Sequence, residues 1–346
     1  MPMQQTDRFR VLAIDGGGIR GLIPARVIAR LEELISQEAG EPRHLADCFH
    51  LIAGTSTGGL LALGLTAPDP AHPGKPRLKG DDLVNLYLED GPRIFGDRLH
   101  QLLSLGGWIA PKHSSKQLER TLRERLGDAD LSQALRDVLI ASYDMAQPGP
   151  YFFKRWQARG PEGPAPAMVD VGMATAAAPT YFSSRGLGGR ALVDGGLFAA
   201  NPSVAAVVEA LKRRDEEPND LSPSDLLLVS LGTGQHEVGH SQSEVGRWGR
   251  IGWVWPRRED PALIAAFLDG QSDAADHWAD VLLNRQTGER RYYRFQASLQ
   301  EGTPLDDASR RALEQLSSAA DRLLAERDAE LRELAARLAA DSPLPG

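Results

Sequence analysis

Ser56 is the residue whose neighbours best equip it to act as a nucleophile. It stands at the centre of Gly54-Thr55-Ser56-Thr57-Gly58, between the apolar runs Phe49–Ala53 and Gly59–Thr66. A tight strand-to-helix turn projects a serine oxygen, and glycines two residues before and two after relieve the crowding such a turn creates. The helix that follows offers free N–H groups and the positive end of its dipole. The G-x-S-x-G string alone recurs by chance; its setting between strand and helix gives it weight. The plainer alternative is that Ser56 only caps the helix.

Gly16-Gly17-Gly18-Ile19-Arg20-Gly21 follows the apolar run Arg10–Ile14 and precedes a helical pattern. It matches the G-x-G-x-x-G of dinucleotide-binding loops. That fingerprint wants an acidic residue at the end of the second strand, where this chain has Gly54-Thr55-Ser56, while Glu38 and Glu41 come before that strand. The other reading is an oxyanion hole, because Gly16, Gly17 and Gly18 expose backbone N–H groups with no side chain in the way. Arg20 would then add positive charge near the site; its alternative is a surface salt bridge.

Asp194 ends the short run Ala191–Val193 and precedes Gly195-Gly196. Strand ends on one edge of a parallel sheet converge on a crevice, which would bring this carboxylate to Ser56. By itself it would read as a turn aspartate. Of the eight histidines, His236 and His240 follow Asp194 in the Ser…Asp…His order of α/β-hydrolases, so a histidine base stays open at this point. No H-E-x-x-H or other metal motif is present.

These residues need elements to hold them. The first 66 residues read as strand, glycine loop, helix (Leu22–Ile35), strand (Phe49–Ala53), turn and helix (Gly59–Thr66), which implies a parallel sheet covered on both faces. Ala67–Gly80 reads as a surface loop. Residues 81–126 are helical but irregular, broken at Gly106-Gly107-Trp108, and are a candidate lid together with the Trp-bearing stretch 247–255. Asp137–Tyr143, Tyr151–Lys154 and Asp225–Leu231 read as strands, and Met168–Ala177 and Ser203–Arg214 as helices. Asp306–Ala340 predicts one long helix whose leucine face packs on the outside of the domain or meets a partner or membrane surface.

The chain has 346 residues, 42% hydrophobic and 25% charged, which excludes a disordered chain or a rod and allows one large α/β domain. The net charge of −8 argues against a nucleic-acid polymer as partner. The single cysteine, Cys48, excludes an intrachain disulfide and reads as a small core residue. The first residues lack the basic-then-apolar pattern of a signal peptide, and no run of 18 apolar residues occurs. The expectation is a cytoplasmic protein with room for peripheral membrane association.

Taken together, Asp15-Gly-Gly-Gly-Ile-Arg-Gly21, Gly54-Thr-Ser-Thr-Gly58 and Asp194-Gly-Gly196 resemble the patatin-like phospholipase family. Ala174–Phe182, Asn201-Pro202 and Ser230-Leu-Gly-Thr-Gly234 are similar to further family signatures, and Trp248–Trp253 and Gln271-Ser272-Asp273 to the plant patatin branch. The resemblance is that of a bacterial member close to the plant branch and covers residues 8–325 as a single domain, with 326–346 as a helix end and tail. It implies a three-layer α/β/α fold and a metal-independent lipid acyl hydrolase, of phospholipase A, lysophospholipase or esterase type, with no cofactor.

By motif, the resemblance makes Ser56 the nucleophile and Asp194 the base of a Ser–Asp dyad. It makes Gly16, Gly17 and Gly18 the oxyanion hole, helped by the N–H of Thr57, with Arg20 as electrostatic support. The implied partner is a phospholipid or other acyl-ester lipid at a membrane or micelle surface. Three rivals remain: an effector switched on by a small nucleotide or a host protein, as in some bacterial relatives; a non-catalytic scaffold; and a Ser-His-Asp esterase.

Overall fold

A computed structural model describes residues 7–96, 113–161, 163–212, 221–236, 239–254, 261–299, 303–340 and 344. The apolar runs found in the sequence become the middle of one sheet. β1 (Phe9–Ile14) pairs in parallel with β2 (Leu51–Thr55) and β7 (Leu226–Leu231); β2 pairs in parallel with β3 (Asp137–Asp144), and β7 with β9 (Tyr292–Phe295). Three strands run the other way: β4 (Gly149–Lys154) and β6 (Arg190–Asp194) are antiparallel to β3, and β5 (Arg185–Leu187) to β6.

The central strands are buried on both faces, and residues of alternate parity point to different layers. Leu12, Ile14, Ile52, Val138 and Val229 pack with helices α1 (Leu22–Ala39) and α2 (Thr57–Thr66). Val11, Ala13, Leu51, Leu139 and Leu228 pack with Ala206, Val207 and Ala210 of the helix Ser203–Lys212 and with Ala279. The architecture is therefore mixed α/β in three layers around a mostly parallel sheet. Cys48 is 3% exposed, and burial pushes its thiol up to about 11, as a core residue requires.

Three sequence expectations change. β2 runs two residues further than Ala53, because Gly54 and Thr55 still pair with Ile140 and Ala141. The expected 306–340 helix is two helices, Arg310–Glu326 and Asp328–Ala339, broken at Arg327 with φ −110°. Both lie on α1, where Leu316, Leu323, Leu331 and Leu334 join the core. At 1.5 Å per residue α1 is about 27 Å long and an unbroken 35-residue helix about 52 Å, so a straight rod would run past its support. Finally, a 19-residue helix, Ala262–Asp280, was not evident in the sequence. Only its Ala275 and Ala279 are buried, so no core stripe announces it.

The packing of the last helix on α1 has a measurable consequence. Leu334 is fully buried, and Leu334→Ala should lower the unfolding free energy by about 2–5 kcal/mol in denaturant titration. A change below about 0.5 kcal/mol, the size expected for a surface position, would contradict this placement.

Candidate active site

Ser56 sits between the last residue of β2 and the first of α2, with φ 54° and ψ −124°. A non-glycine residue in this region carries strain of about 1–3 kcal/mol. The surroundings hold it there. Its N–H donates to Thr175 Oγ1 at 2.9 Å, and Thr175 Oγ1 donates to the Ala141 carbonyl at 2.6 Å. Thr55 Oγ1 donates to the Ala199 carbonyl at 2.6 Å. The flanking glycines are sterically required: a Cβ on Gly54 would stand 2.2 Å from the Gly58 carbonyl oxygen, and one on Gly58 2.1 Å from that of Ile14. Thr57 is fixed in turn by a 2.5 Å hydrogen bond between its hydroxyl and that of Tyr87.

Asp194 reaches Ser56 by a route that differs from the sequence expectation. β6 does not lie parallel with the rest of the sheet. β2 pairs with residues 137–141 of β3, and β6 pairs antiparallel with residues 142–144. β4 occupies the other edge of β3 opposite Ser142, so β2 and β6 share one edge and run toward each other. Their carboxyl ends, Thr55 opposite Ala141 and Asp194 opposite Ser142, meet head to head.

Asp194 is 5% exposed and accepts a hydrogen bond from the Gly196 N–H at 2.7 Å. Burial pushes its carboxyl up to about 6; the Ser56 hydroxyl and the Gly196 N–H, which favour the charged form, hold the rise back. Ser56 and Asp194 line one cavity of about 430 Å³. Its walls are apolar, with Leu60, Ile94, Phe95, Phe182, Leu197 and Phe267 among them.

The glycine loop borders the same cavity. Gly16 N–H is committed to the Ala200 carbonyl at 2.9 Å, so it is not a free oxyanion donor as the motif suggested. Among the described residues no acceptor takes the N–H of Gly17, Gly18 or Thr57. Arg20 is buried, donates through Nε to the Thr303 carbonyl at 2.7 Å, and stands outside the cavity wall. It ties a distant segment to the loop.

His236 and His240, which kept a triad open, and His277, which also follows Asp194, lie elsewhere. His236 is in a two-residue strand, the ring of His240 rests 4.6 Å from that of Trp248, and His277 is in the Ala262–Asp280 helix. None of them lines the cavity.

Sequence reasoning missed two groups. Arg294 donates to both carboxylate oxygens of Asp15, at 3.0 and 2.6 Å, and Ser272 Oγ donates to Asp15 at 3.0 Å. This buried ion pair anchors the residue before Gly16 from a strand that had no local signal. The helix Ala262–Asp280 is the other: Leu263, Ile264, Phe267 and Leu268 line the cavity. Of the expected lid, Leu86, Tyr87, Ile94, Phe95, Leu118 and Leu122 do form cavity wall. Residues 97–112, with Gly106-Gly107-Trp108, lie outside the described residues. The 247–255 stretch contributes no residue to the described wall, and its Trp255 lies outside the described residues.

Comparison with known proteins gives the family. The family model described as patatin-like phospholipase matches residues 12–207. Patatin-like protein 2 of Oryza sativa subsp. indica is 32% identical over 91% of this chain and 83% of its own length. Patatin-like protein 2 of Arabidopsis thaliana is 34% identical over 91% of this chain and 82% of its own. The chain belongs to the patatin-like phospholipase family. Among solved structures, VipD from Legionella pneumophila is similar at a TM-score of 0.41 and 14% identity, over 92% of this chain and 67% of that one.

The burial of Asp194 sets a pH-dependent stability. Its carboxyl rises from 3.8 to about 6 on folding, so its favourable contribution is complete below pH 3.8 and is lost as pH rises through about 6. Asp194→Asn escapes that loss. The variant should be more stable than the parent at pH 8, by about 3 kcal/mol at most, with the difference vanishing near pH 4. Urea melts in which the parent is the more stable protein at pH 8 would contradict the burial.

Proposed function

We propose that this chain is a lipid acyl hydrolase, of phospholipase A, lysophospholipase or esterase type, working through Ser56 and Asp194 and an acyl-enzyme. The observation that carries this reading is the desolvated Asp194 carboxyl facing the Ser56 hydroxyl at the wall of an apolar cavity. Ser56 Oγ attacks the ester carbonyl while its proton passes to Asp194. The N–H groups of Gly17, Gly18 and Thr57 stabilise the oxyanion, each donor contributing about 3–4 kcal/mol by analogy with other hydrolases. Collapse breaks the ester bond, and Asp194 returns the proton to the departing alcohol or lysolipid. Water then attacks the acyl-serine and gives a proton to Asp194; collapse breaks the acyl–Oγ bond, Asp194 returns the proton to Ser56 Oγ, and the fatty acid leaves.

A carboxylate of ordinary pKa is a feeble base for an alcohol. At about 6 Asp194 is a stronger one and remains largely ionised at neutral pH. The apolar walls suit an acyl chain. Leu263 and Phe267, 47% and 54% exposed, carry the apolar wall out to the surface, which supports entry from a lipid aggregate.

A fluorophosphonate probe should label the parent chain and not Ser56→Ala. Asp194→Asn should lose at least about 100-fold in turnover of a short-chain ester, while His236→Ala, His240→Ala and His277→Ala each keep most of it. Full labelling of Ser56→Ala, or a folded histidine variant as inactive as Ser56→Ala, would sink the dyad.

A further inference from the structure

Two of the proposed oxyanion donors, Gly17 and Gly18, sit in a loop held at its first glycine by the Ala200 carbonyl, which accepts from Gly16 N–H at 2.9 Å, and by Thr233 Oγ1, which donates to the Gly16 carbonyl at 2.8 Å. Gly17 and Gly18 have no side chains to pack, and Gly18 adopts φ 56°. The loop is gripped from outside by residues 303–306, far along the chain. Ile19 N–H donates to the Leu305 carbonyl at 2.8 Å, and Arg20 Nε donates to the Thr303 carbonyl at 2.7 Å. Packing at the same point is tight: a Cβ on Gly18 would stand 2.1 Å from the Leu305 carbonyl oxygen.

The segment 303–306 is itself pinned by a buried polar contact. Asp306 Oδ2 lies 2.6 Å from His113 Nε2. His113 is 1% exposed. Its ring meets that of Phe95 edge-on at 5.3 Å, lies 5.5 Å from that of Phe182, and stacks over Tyr181 at 6.4 Å. Its backbone N–H donates to the Tyr181 carbonyl at 2.8 Å. Among the described residues the ring's buried Nδ1 has no hydrogen-bond partner, and Nε2 faces the Asp306 carboxylate as the N–H donor. An aromatic hydrocarbon would fill this pocket without leaving a nitrogen unsatisfied. What histidine adds is the bond to Asp306.

We propose that His113 and Asp306 are positioning residues for the oxyanion loop. Their bond fixes residues 303–306, and through the Leu305 and Thr303 carbonyls it fixes the N–H groups of Gly17 and Gly18. The inference rests on the hydrolase reading above. Neither residue is assigned contact with the reacting atoms. A donor displaced by a fraction of an ångström binds the ground-state carbonyl almost as well and the oxyanion much less well, so the effect falls on kcat and not on KM.

The test compares the parent with His113→Leu, which removes the bond, and His113→Gln, which restores an N–H donor. The measurements are kcat and KM on a soluble p-nitrophenyl ester. Alongside them go the affinities for a trifluoromethyl ketone, which forms the tetrahedral oxyanion adduct, and for its unfluorinated counterpart, which does not. Near-UV circular dichroism checks folding, and Asp306→Asn replaces His113→Leu in the comparison if the latter does not fold.

His113→Leu should lower kcat about tenfold to hundredfold, less than loss of an oxyanion donor outright. It should weaken the trifluoromethyl ketone by the same factor and leave KM and the plain ketone unchanged; His113→Gln should recover most of the loss. A folded variant with kcat and trifluoromethyl ketone affinity like the parent, or with a raised KM alone, overturns the proposal. So does a loss of kcat that the trifluoromethyl ketone does not register. A parent chain that neither turns over the ester nor reacts with fluorophosphonate overturns the hydrolase reading and this inference with it. An active parent with unaltered variants overturns this inference alone.

Discussion

β2 and β6 run toward each other along one edge of β3, and the rest of the site depends on where they meet. The meeting brings the carboxyl ends of two strands to adjacent β3 residues, Ala141 and Ser142. A wholly parallel sheet would put both ends on one rim, side by side with a strand spacing between them. Head-to-head placement brings a side chain from each into one buried space. The strained backbone at Ser56 and the close approach of Gly54 to Gly58 follow from turning the chain into α2 within one residue of that junction.

Keeping Asp194 dry is the chemical counterpart of this geometry. Burial raises its carboxyl to about 6, while hydrogen bonds from the Gly196 N–H and the Ser56 hydroxyl limit the rise. Water at the junction would return it toward an ordinary carboxylate and weaken it as a base. The apolar walls, to which residues 86–95, Leu118, Leu122 and the Ala262–Asp280 helix contribute, thus serve the proposed proton transfer as well as the proposed acyl chain. The arrangement works against stability, because the buried charge proposed to aid turnover at neutral pH is one the fold would be more stable without.

Much of this was legible in the sequence. The apolar runs of β1, β2 and β7 stand out because both of their faces are covered, and Gly54 and Gly58 around Ser56 mark two positions of a turn that admit no side chain. The direction of β6 was not legible, since five residues before a glycine turn read alike whichever way the strand runs. Arg294 was invisible because its partner, Asp15, is 279 positions away. The Ala262–Asp280 helix escaped notice because its apolar residues face a cavity and not the core. Gly16 shows a further limit: a motif locates bare N–H groups but not which of them the fold has already used, here by the Ala200 carbonyl.

The central claim is that the carboxyl of Asp194, and no imidazole, takes the proton from Ser56. A buried carboxyl near 6 and an ordinary histidine near 6.5 titrate too closely for the parent's pH profile to separate them. The direct measurement is the pH dependence of kcat/KM for a soluble ester in a chain with His236, His240 and His277 all replaced by alanine, repeated with His113→Gln. The account predicts an acidic limb that stays near pH 6 with slope one in both proteins. Loss of that limb, or of activity to the level of Ser56→Ala in a folded histidine variant, would contradict it.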